Sequence, residues 1–109
     1  MAPAQEAVEL YRALARANPD AFTPDLAMAL NNLANRLSEL GRHAEALASY
    51  AEGLRLLTPH FLALPEAHQS LTALLVNTYE RLCGQLGQPP ETELFAAVKT
   101  RLASLPPPT

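Results

Sequence analysis

The sequence predicts an all-α protein built from antiparallel helical hairpins. Alanine and leucine contribute 20 and 21 of the 109 residues, and both residue types favour helices. Isoleucine is absent and valine occurs three times, so the β-branched residues that strands prefer are scarce. Prolines and glycines divide the chain into five segments, each long enough for one helix. Five helices joined by short loops pack most simply as successive antiparallel hairpins.

The first two helices are delimited by proline-containing turns. Residues 3–17 carry apolar side chains at helical spacing, and the Asn-Pro-Asp turn at residues 18–20 is expected to end this helix. The second helix is expected to begin at residues 23–24, because threonine caps helices and proline fits the first helical position. It is expected to run to Leu40 and to stop at Gly41, a typical residue after a helix end.

The third and fourth helices flank a connection that contains proline. The third helix is expected over residues 43–57, because the Thr-Pro pair at residues 58–59 should end it. Residues 60–63 are then expected to be irregular. The fourth helix should start near Pro65 and end at about Leu82 or Leu86, because Gly84 and Gly87 mark its frayed end.

The last helix is expected over residues 91–104, after the Gln-Pro-Pro break at residues 88–90. Its apolar side chains fall along one side. Because 109 residues is the length of one domain, residues 1–105 are interpreted as a single helical domain. Residues 106–109 are expected to form a Pro-rich disordered tail.

Charge and cysteine content exclude several classes of partner. The net charge of -3 is spread along the chain without a basic stripe, which argues against nucleic acid. No stretch approaches the about 20 apolar residues of a membrane span. Cys83 is the only cysteine, so no internal disulfide can form, and a reducing, cytoplasmic location is the simpler expectation.

The sequence contains no recognisable catalytic or cofactor motif. Phosphate-binding glycine loops and nucleophile elbows are missing. The three histidines, His43, His60 and His68, lack the spacing of a metal site, and no cysteine stands near enough to complete a ligand set. We therefore expect no cofactor, no metal and no enzymatic activity.

Two pairs of segments indicate an internal repeat. Residues 6–11 (EAVELY) recur as residues 45–50 (EALASY), 39 positions later. A second match links the second and fourth helices: Leu30-Asn31 and Leu40-Gly41 recur as Val76-Asn77 and Leu86-Gly87, 46 positions later. Self-similarity at this spacing is typical of stacked helical hairpins. The difference of seven residues predicts two extra helical turns, or an extended loop, before the fourth helix.

The central hairpin resembles the tetratricopeptide repeat family, with about two and a half repeats in the chain. The matching residues are Leu30, Leu33, Ala34, Leu37, Gly41, Ala46, Leu47, Tyr50, Leu54 and Pro59. Gly53 and Glu80 depart from the family pattern, which favours small residues with a side chain there. The segments LNNLA and LSELGRHAEAL resemble the kinesin-light-chain-like branch, which also occurs in bacterial signalling proteins. The resemblance implies a non-catalytic α-solenoid that binds a protein or peptide on its inner face.

A polar stripe runs beside the apolar face of the second helix. With Leu30 at 0° and about 100° per residue, the apolar residues, Leu40 included, fall between about 280° and 40°, and the polar stripe falls between about 80° and 160°. Asparagine side chains both donate and accept hydrogen bonds, as an extended peptide backbone requires. The predicted binding groove, with its equivalents on the fourth helix, consists of Met28, Asn31, Asn35, Ser38, Leu74, Asn77 and Arg81.

Two alternatives remain open at this point. The asparagines can instead hydrogen-bond to the neighbouring repeat and hold the stack in register, and Arg81 can simply complement a helix end. The chain can also be a structural segment of a larger bacterial regulatory protein that associates with itself. Two and a half repeats leave the end helices uncapped, so a homodimer through those helices is a possible partner arrangement.

Overall fold

Five α-helices, each packed against the next, form in the computed structural model, which describes residues 2–90 and 92–106. No strand occurs among those residues, so the predicted all-α fold is confirmed. The fifth helix packs on both the third and the fourth. The helices span Ala2–Ala17 (α1), Pro19–Glu39 (α2), His43–Ala63 (α3), Pro65–Leu86 (α4) and Thr92–Ser104 (α5).

Helix α2 begins earlier than predicted. The Asn18 side chain accepts a hydrogen bond from the backbone N–H of Ala21 and caps the helix, and Pro19 takes the first helical position. The prediction of a start at residues 23–24 was wrong because the same pairing of cap and proline already occurs five residues before. Pro24 therefore lies inside the helix, where its missing N–H removes one helical hydrogen bond.

Helix α3 continues to Ala63, so the predicted end at residues 58–59 was wrong, as was the irregular stretch at residues 60–63. Phe61 lies beyond Pro59 in the continued helix and is fully buried in the main core cluster. Burying a phenylalanine side chain contributes about 1.5–3 kcal/mol, which offsets most of the about 3 kcal/mol that an internal proline costs. The burial of Phe61 therefore explains why α3 continues past Pro59.

The extension of α3 accounts for the unequal repeat spacing. Helices α2 and α4 begin at Pro19 and Pro65, which are the 46 positions apart that the sequence match predicts. A single residue, Asn18 or Leu64, precedes each of these prolines. The seven extra residues therefore lie in additional turns of α3, and the alternative of an extended loop was wrong.

The other helix boundaries agree closely with prediction. Helix α1 begins one residue early and α4 ends at Leu86, as expected. Gly41 and Gly87 follow the ends of α2 and α4 with φ angles of 78° and 67°, in the left-handed region that glycine favours. Glu91, the predicted start of the fifth helix, lies outside the described residues.

Two further predictions concern chain segments at helix ends. Leu40, predicted on the core face, is 59% exposed, because α2 ends at Glu39 and Leu40 is its capping residue. In the predicted tail, the carbonyl of Pro106 accepts a hydrogen bond from Gln69 Nε2 at 2.8 Å. Residues 107–109 lie outside the described residues.

Buried apolar side chains form two clusters. The smaller one joins α1 to α2 and consists of Val8, Leu26, Ala29 and Leu30. The larger one lies among α2, α3, α4 and α5 and includes Leu54, Leu57, Phe61, Leu75, Tyr79 and Val98. Helix α1 supplies one buried apolar residue among the described side chains, whereas α3 packs on three other helices. Helix α3 is therefore the central helix of the packing, in contact with α2, α4 and α5.

Replacing Gly53 or Gly41 by alanine is expected to change the free energy of unfolding in opposite directions. Gly53 is buried in α3, and a Cβ added there would meet the Ala27 carbonyl oxygen and Leu75 Cδ2 at 3.4 Å, an ordinary contact distance. Gly53→Ala is expected to raise the free energy of unfolding by about 0.5–1 kcal/mol, because alanine is the better helix former. Gly41→Ala is expected to lower it by about 1 kcal/mol, because φ is positive there. Urea denaturation measures both values, and a loss of stability in Gly53→Ala would show that the helices pack more tightly around it.

Candidate functional site

An open groove of about 310 Å³ lies between α2 and α4. Helix α3 contributes one buried residue, Tyr50, to its lining. Both walls carry polar side chains, and the lining consists of Asn35, Arg36, Ser38, Glu39, Tyr50, Thr78, Arg81, Leu82 and Gln85. The walls are the first helices of the two successive hairpins, so the groove follows the internal repeat.

The two walls run parallel to each other. Asn31 of α2 accepts a hydrogen bond through Oδ1 from Thr78 Oγ1 of α4 at 3.3 Å. Further along both helices, Ser38 and Glu39 line the same groove as Arg81 and Gln85. Residue numbers therefore increase in the same direction on the two walls. This register brings the C-terminal halves of α2 and α4 to one end of the groove.

Tyr50 joins the lining of the groove to α2. Its hydroxyl donates a hydrogen bond to Asn35 Oδ1, and the side chain is almost fully buried. Because Oδ1 accepts this bond, the amide N–H groups are the part of Asn35 that can donate to a ligand. Burial raises the pKa of the Tyr50 hydroxyl above its usual value, and the nearby positive charge of Arg81 partly opposes this shift.

The influence of Arg81 on Tyr50 predicts a measurable change without any ligand. In Arg81→Gln, the pKa of Tyr50 is expected to rise further, because the charge that favours the phenolate is removed. A raised pKa means that the folded state keeps the proton while the unfolded state loses it, so stability should fall as the pH rises above about 10. Phenolate absorbance, with Tyr50→Phe subtracted, measures the pKa. An unchanged or lower value in Arg81→Gln would place the guanidinium away from the groove.

The groove carries an excess positive charge although the chain is acidic overall. Arg36 and Glu39 form an ion pair at 3.1 Å, and both side chains are more than half exposed, so this pair contributes little to stability. Within the described part of the chain, Arg81 forms no ion pair. Its guanidinium is therefore left with five N–H donors and a full charge facing an open groove.

The structure distributes the seven predicted site residues over three environments. Asn35, Ser38 and Arg81 line the groove. Asn31 is 3% exposed and bonded to Thr78, so it has the stacking role that the sequence left open; its role as a ligand contact stays a prediction. The remaining three are exposed on the same two helices but do not belong to the lining: Met28, Leu74 and Asn77.

Sequence reasoning missed several residues of the groove. Thr78 and Gln85 lie at i-3 and i+4 from Arg81, so extending its helical face in both directions would have found them. Tyr50 comes from the second helix of a hairpin, and only the packing of α3 brings it to the groove. Arg36 and Glu39, which the predicted polar stripe does not include, also line the groove.

No group of three or more histidine, cysteine, aspartate or glutamate side chains is placed to hold a metal ion among the residues that the structure describes. Over the same residues, no helix is both long and apolar enough to cross a membrane. Comparisons of the chain with protein-family models, with characterised proteins and with solved structures gave no match.

Proposed function

We propose that the chain is a non-catalytic protein-interaction module that binds an extended segment of another protein in the groove between α2 and α4. The observation that carries this proposal is the unpaired guanidinium of Arg81 in an open groove. The other polar groups around it are neutral, namely Asn35, Ser38, Tyr50, Thr78 and Gln85, or belong to the ion pair of Arg36 and Glu39.

The chemistry of the groove suits an extended peptide. A peptide without internal hydrogen bonds presents free N–H and C=O groups along its length. Amide and hydroxyl side chains such as Asn35, Ser38 and Gln85 can donate to and accept from such groups. Arg81 adds one strong, charge-assisted contact for a carboxylate of the ligand. The groove therefore offers affinity for a backbone and selectivity for an acidic group.

The proposal agrees with the resemblance to tetratricopeptide repeats, whose first helices line an inner binding face. It also favours binding over catalysis. Glu39 is the one carboxylate of the described lining, and it is engaged by Arg36. The raised pKa of Tyr50 disfavours the phenolate that base chemistry would need. A cytoplasmic, bacterial setting is part of the proposal, and it is supported by the lone cysteine and by the sequence resemblance.

Selection from a displayed library of random linear peptides tests this function directly. We expect peptides that bind the module, and we expect Arg81→Gln to weaken them at least about tenfold, the factor for one charge-assisted hydrogen bond. Arg16→Gln is the matched control, because it removes an exposed arginine from α1, away from the groove. Circular dichroism verifies that both variants stay helical.

Two results would contradict the proposed function. One is that no peptide is enriched over a helical protein used as a blank. The other is that the enriched peptides bind Arg81→Gln and Arg16→Gln equally well, which would place their site outside the groove.

Self-association is a second candidate, favoured by the outer face of α1. Leu10 on this helix is 58% exposed, one of the largest values for an apolar side chain among the described residues. An ion pair between Arg12 and Glu52 ties the helix to α3, yet none of the described helices covers Leu10. Light scattering over a range of concentrations tests this candidate. A dimer that Leu10→Glu converts to a monomer supports it, and a wild-type monomer excludes it.

A further inference from the structure

Beyond the N-terminal end of the groove's lining, α2 and α4 each carry one exposed apolar side chain. Met28 lies one turn before Asn31 on α2, and Leu74 lies one turn before Thr78 on α4. Because Asn31 and Thr78 are hydrogen-bonded across two parallel helices, Met28 and Leu74 lie at a similar level, on the N-terminal side of the groove's lining. They are 40% and 39% exposed, so part of each apolar side chain is open to a ligand.

The distance between the apolar pair and Arg81 follows from helix geometry. Leu74 and Arg81 are seven residues apart on one helix, two turns, and therefore share a face at about 10.5 Å along the axis. A polyproline II segment rises about 3.1 Å per residue and has three residues per turn, so its side chains at i and i+3 share a face about 9.3 Å apart. A β-strand places i and i+3 on opposite faces, and its i and i+2 positions lie only about 6.8 Å apart.

We propose, building on the proposed function, that the groove selects a polyproline II segment with an apolar residue and an acidic residue three positions apart. The apolar side chain packs between Met28 and Leu74, and the carboxylate binds the guanidinium of Arg81. The charge of the groove supports this partner, because Arg81 has no carboxylate of its own in the described residues. Glu39 at the rim disfavours a second acidic residue nearby.

The polar groups between the two ends fit the same partner. A polyproline II backbone makes no internal hydrogen bonds, so its carbonyl groups stay open to donors. Thr78 already donates its one hydroxyl hydrogen within the fold, so the donors available near it in the lining are the amide N–H groups of Asn35. These donors contact the backbone of the ligand and none of its side chains. Selectivity therefore comes from the spacing between the ligand's apolar residue and its acidic residue.

Synthetic peptides of fixed composition test the spacing. Each is a labelled nonapeptide of alanine and proline with blocked termini, which carries one leucine and one glutamate two, three or four positions apart, in either order. We expect the tightest binding at three positions for one of the two orders, about tenfold above the other spacings by fluorescence anisotropy. Replacing glutamate by glutamine in that peptide should lower its affinity for the wild type by the same factor. The replacement should leave its affinity for Arg81→Gln unchanged.

A second cycle tests the apolar end. Replacing leucine by serine in the best peptide should weaken binding to the wild type, and the loss should shrink on Leu74→Ser. Leu62→Ser, also exposed but on α3, is the matched control. Equal affinity at all three spacings, or a best spacing of two or four, would overturn this inference while peptides selected from the random library still show that the groove binds. If neither peptide set binds, the proposed function fails as well.

Discussion

Replacing Phe61 by alanine is expected to lower the free energy of unfolding by about 3–5 kcal/mol. The side chain is fully buried in the main core cluster, together with Leu57 and Leu54 of the same helix. It also lies in the last turns of α3, beyond Pro59, where its burial favours the helical form. Its removal therefore leaves a cavity and frees a segment whose local sequence opposes a helix. Urea denaturation followed by circular dichroism measures the loss.

The neighbouring leucine provides the control for this prediction. Leu62 lies in the same turn but is 45% exposed, so Leu62→Ala should change the free energy of unfolding by less than about 1 kcal/mol. If Phe61→Ala costs no more than Leu62→Ala, residues 58–63 do not form the packed end of α3. The seven extra residues of the repeat would then lie in a loop after all.

Asn31→Ala is expected to lower the free energy of unfolding by about 1–2 kcal/mol. The side chain is 3% exposed and its Oδ1 accepts the hydrogen bond from Thr78. A net contribution of about 0.5–1.5 kcal/mol is usual for such a bond, and the vacated space adds a cavity term. The better helix propensity of alanine returns about 0.5 kcal/mol. Thermal or urea denaturation of the purified variant measures the sum.

Asn32, the next residue, is the matched control for Asn31. It is exposed and lies off the polar stripe, so Asn32→Ala should raise the free energy of unfolding by about 0.5 kcal/mol through helix propensity alone. Opposite signs for the two variants would show that the asparagines are not interchangeable. A gain in both would mean that the hydrogen bond between Asn31 and Thr78 contributes nothing to the stack.

The asparagines of α2 thus have separate roles in one short segment. Asn31 is buried and joins α2 to α4 through its hydrogen bond with Thr78. Asn35 accepts from Tyr50 through its oxygen and keeps its amide hydrogens for the groove. Asn32 contacts solvent. Asparagine is a poorer helix former than alanine. This cost is offset by the internal hydrogen bonds of Asn31 and Asn35, as well as by the binding surface that we propose.

The class of fold and the number of helices could be predicted from composition and punctuation, but two helix ends could not. Both errors arose at prolines. Residues 23–24 and residues 58–59 each look like a helix boundary when only neighbouring residues are considered. In the folded chain an earlier cap at Asn18 and the burial of Phe61 decide instead. Burial is a tertiary effect, and local sequence rules do not contain it.

The candidate site could be predicted in part for a related reason. The angular position on one helix indicated Asn35 and Ser38, and the internal repeat extended the prediction to Arg81 on α4. All three line the groove, and their role as ligand contacts stays a prediction. Tyr50 could not be found in this way, because its position depends on how α3 packs beneath the two walls. The burial of Asn31 could not be predicted either, because it depends on how α4 packs over α2.

The most direct test of binding between α2 and α4 is a chemical-shift map of the ¹⁵N-labelled module with a peptide selected from the random library. We expect the perturbed amides to cluster in residues 28–39 and 74–85, with little change on the outer face of α1. Perturbations centred on Leu10 and its neighbours, or spread over α5, would contradict the proposed groove and favour a different interaction surface.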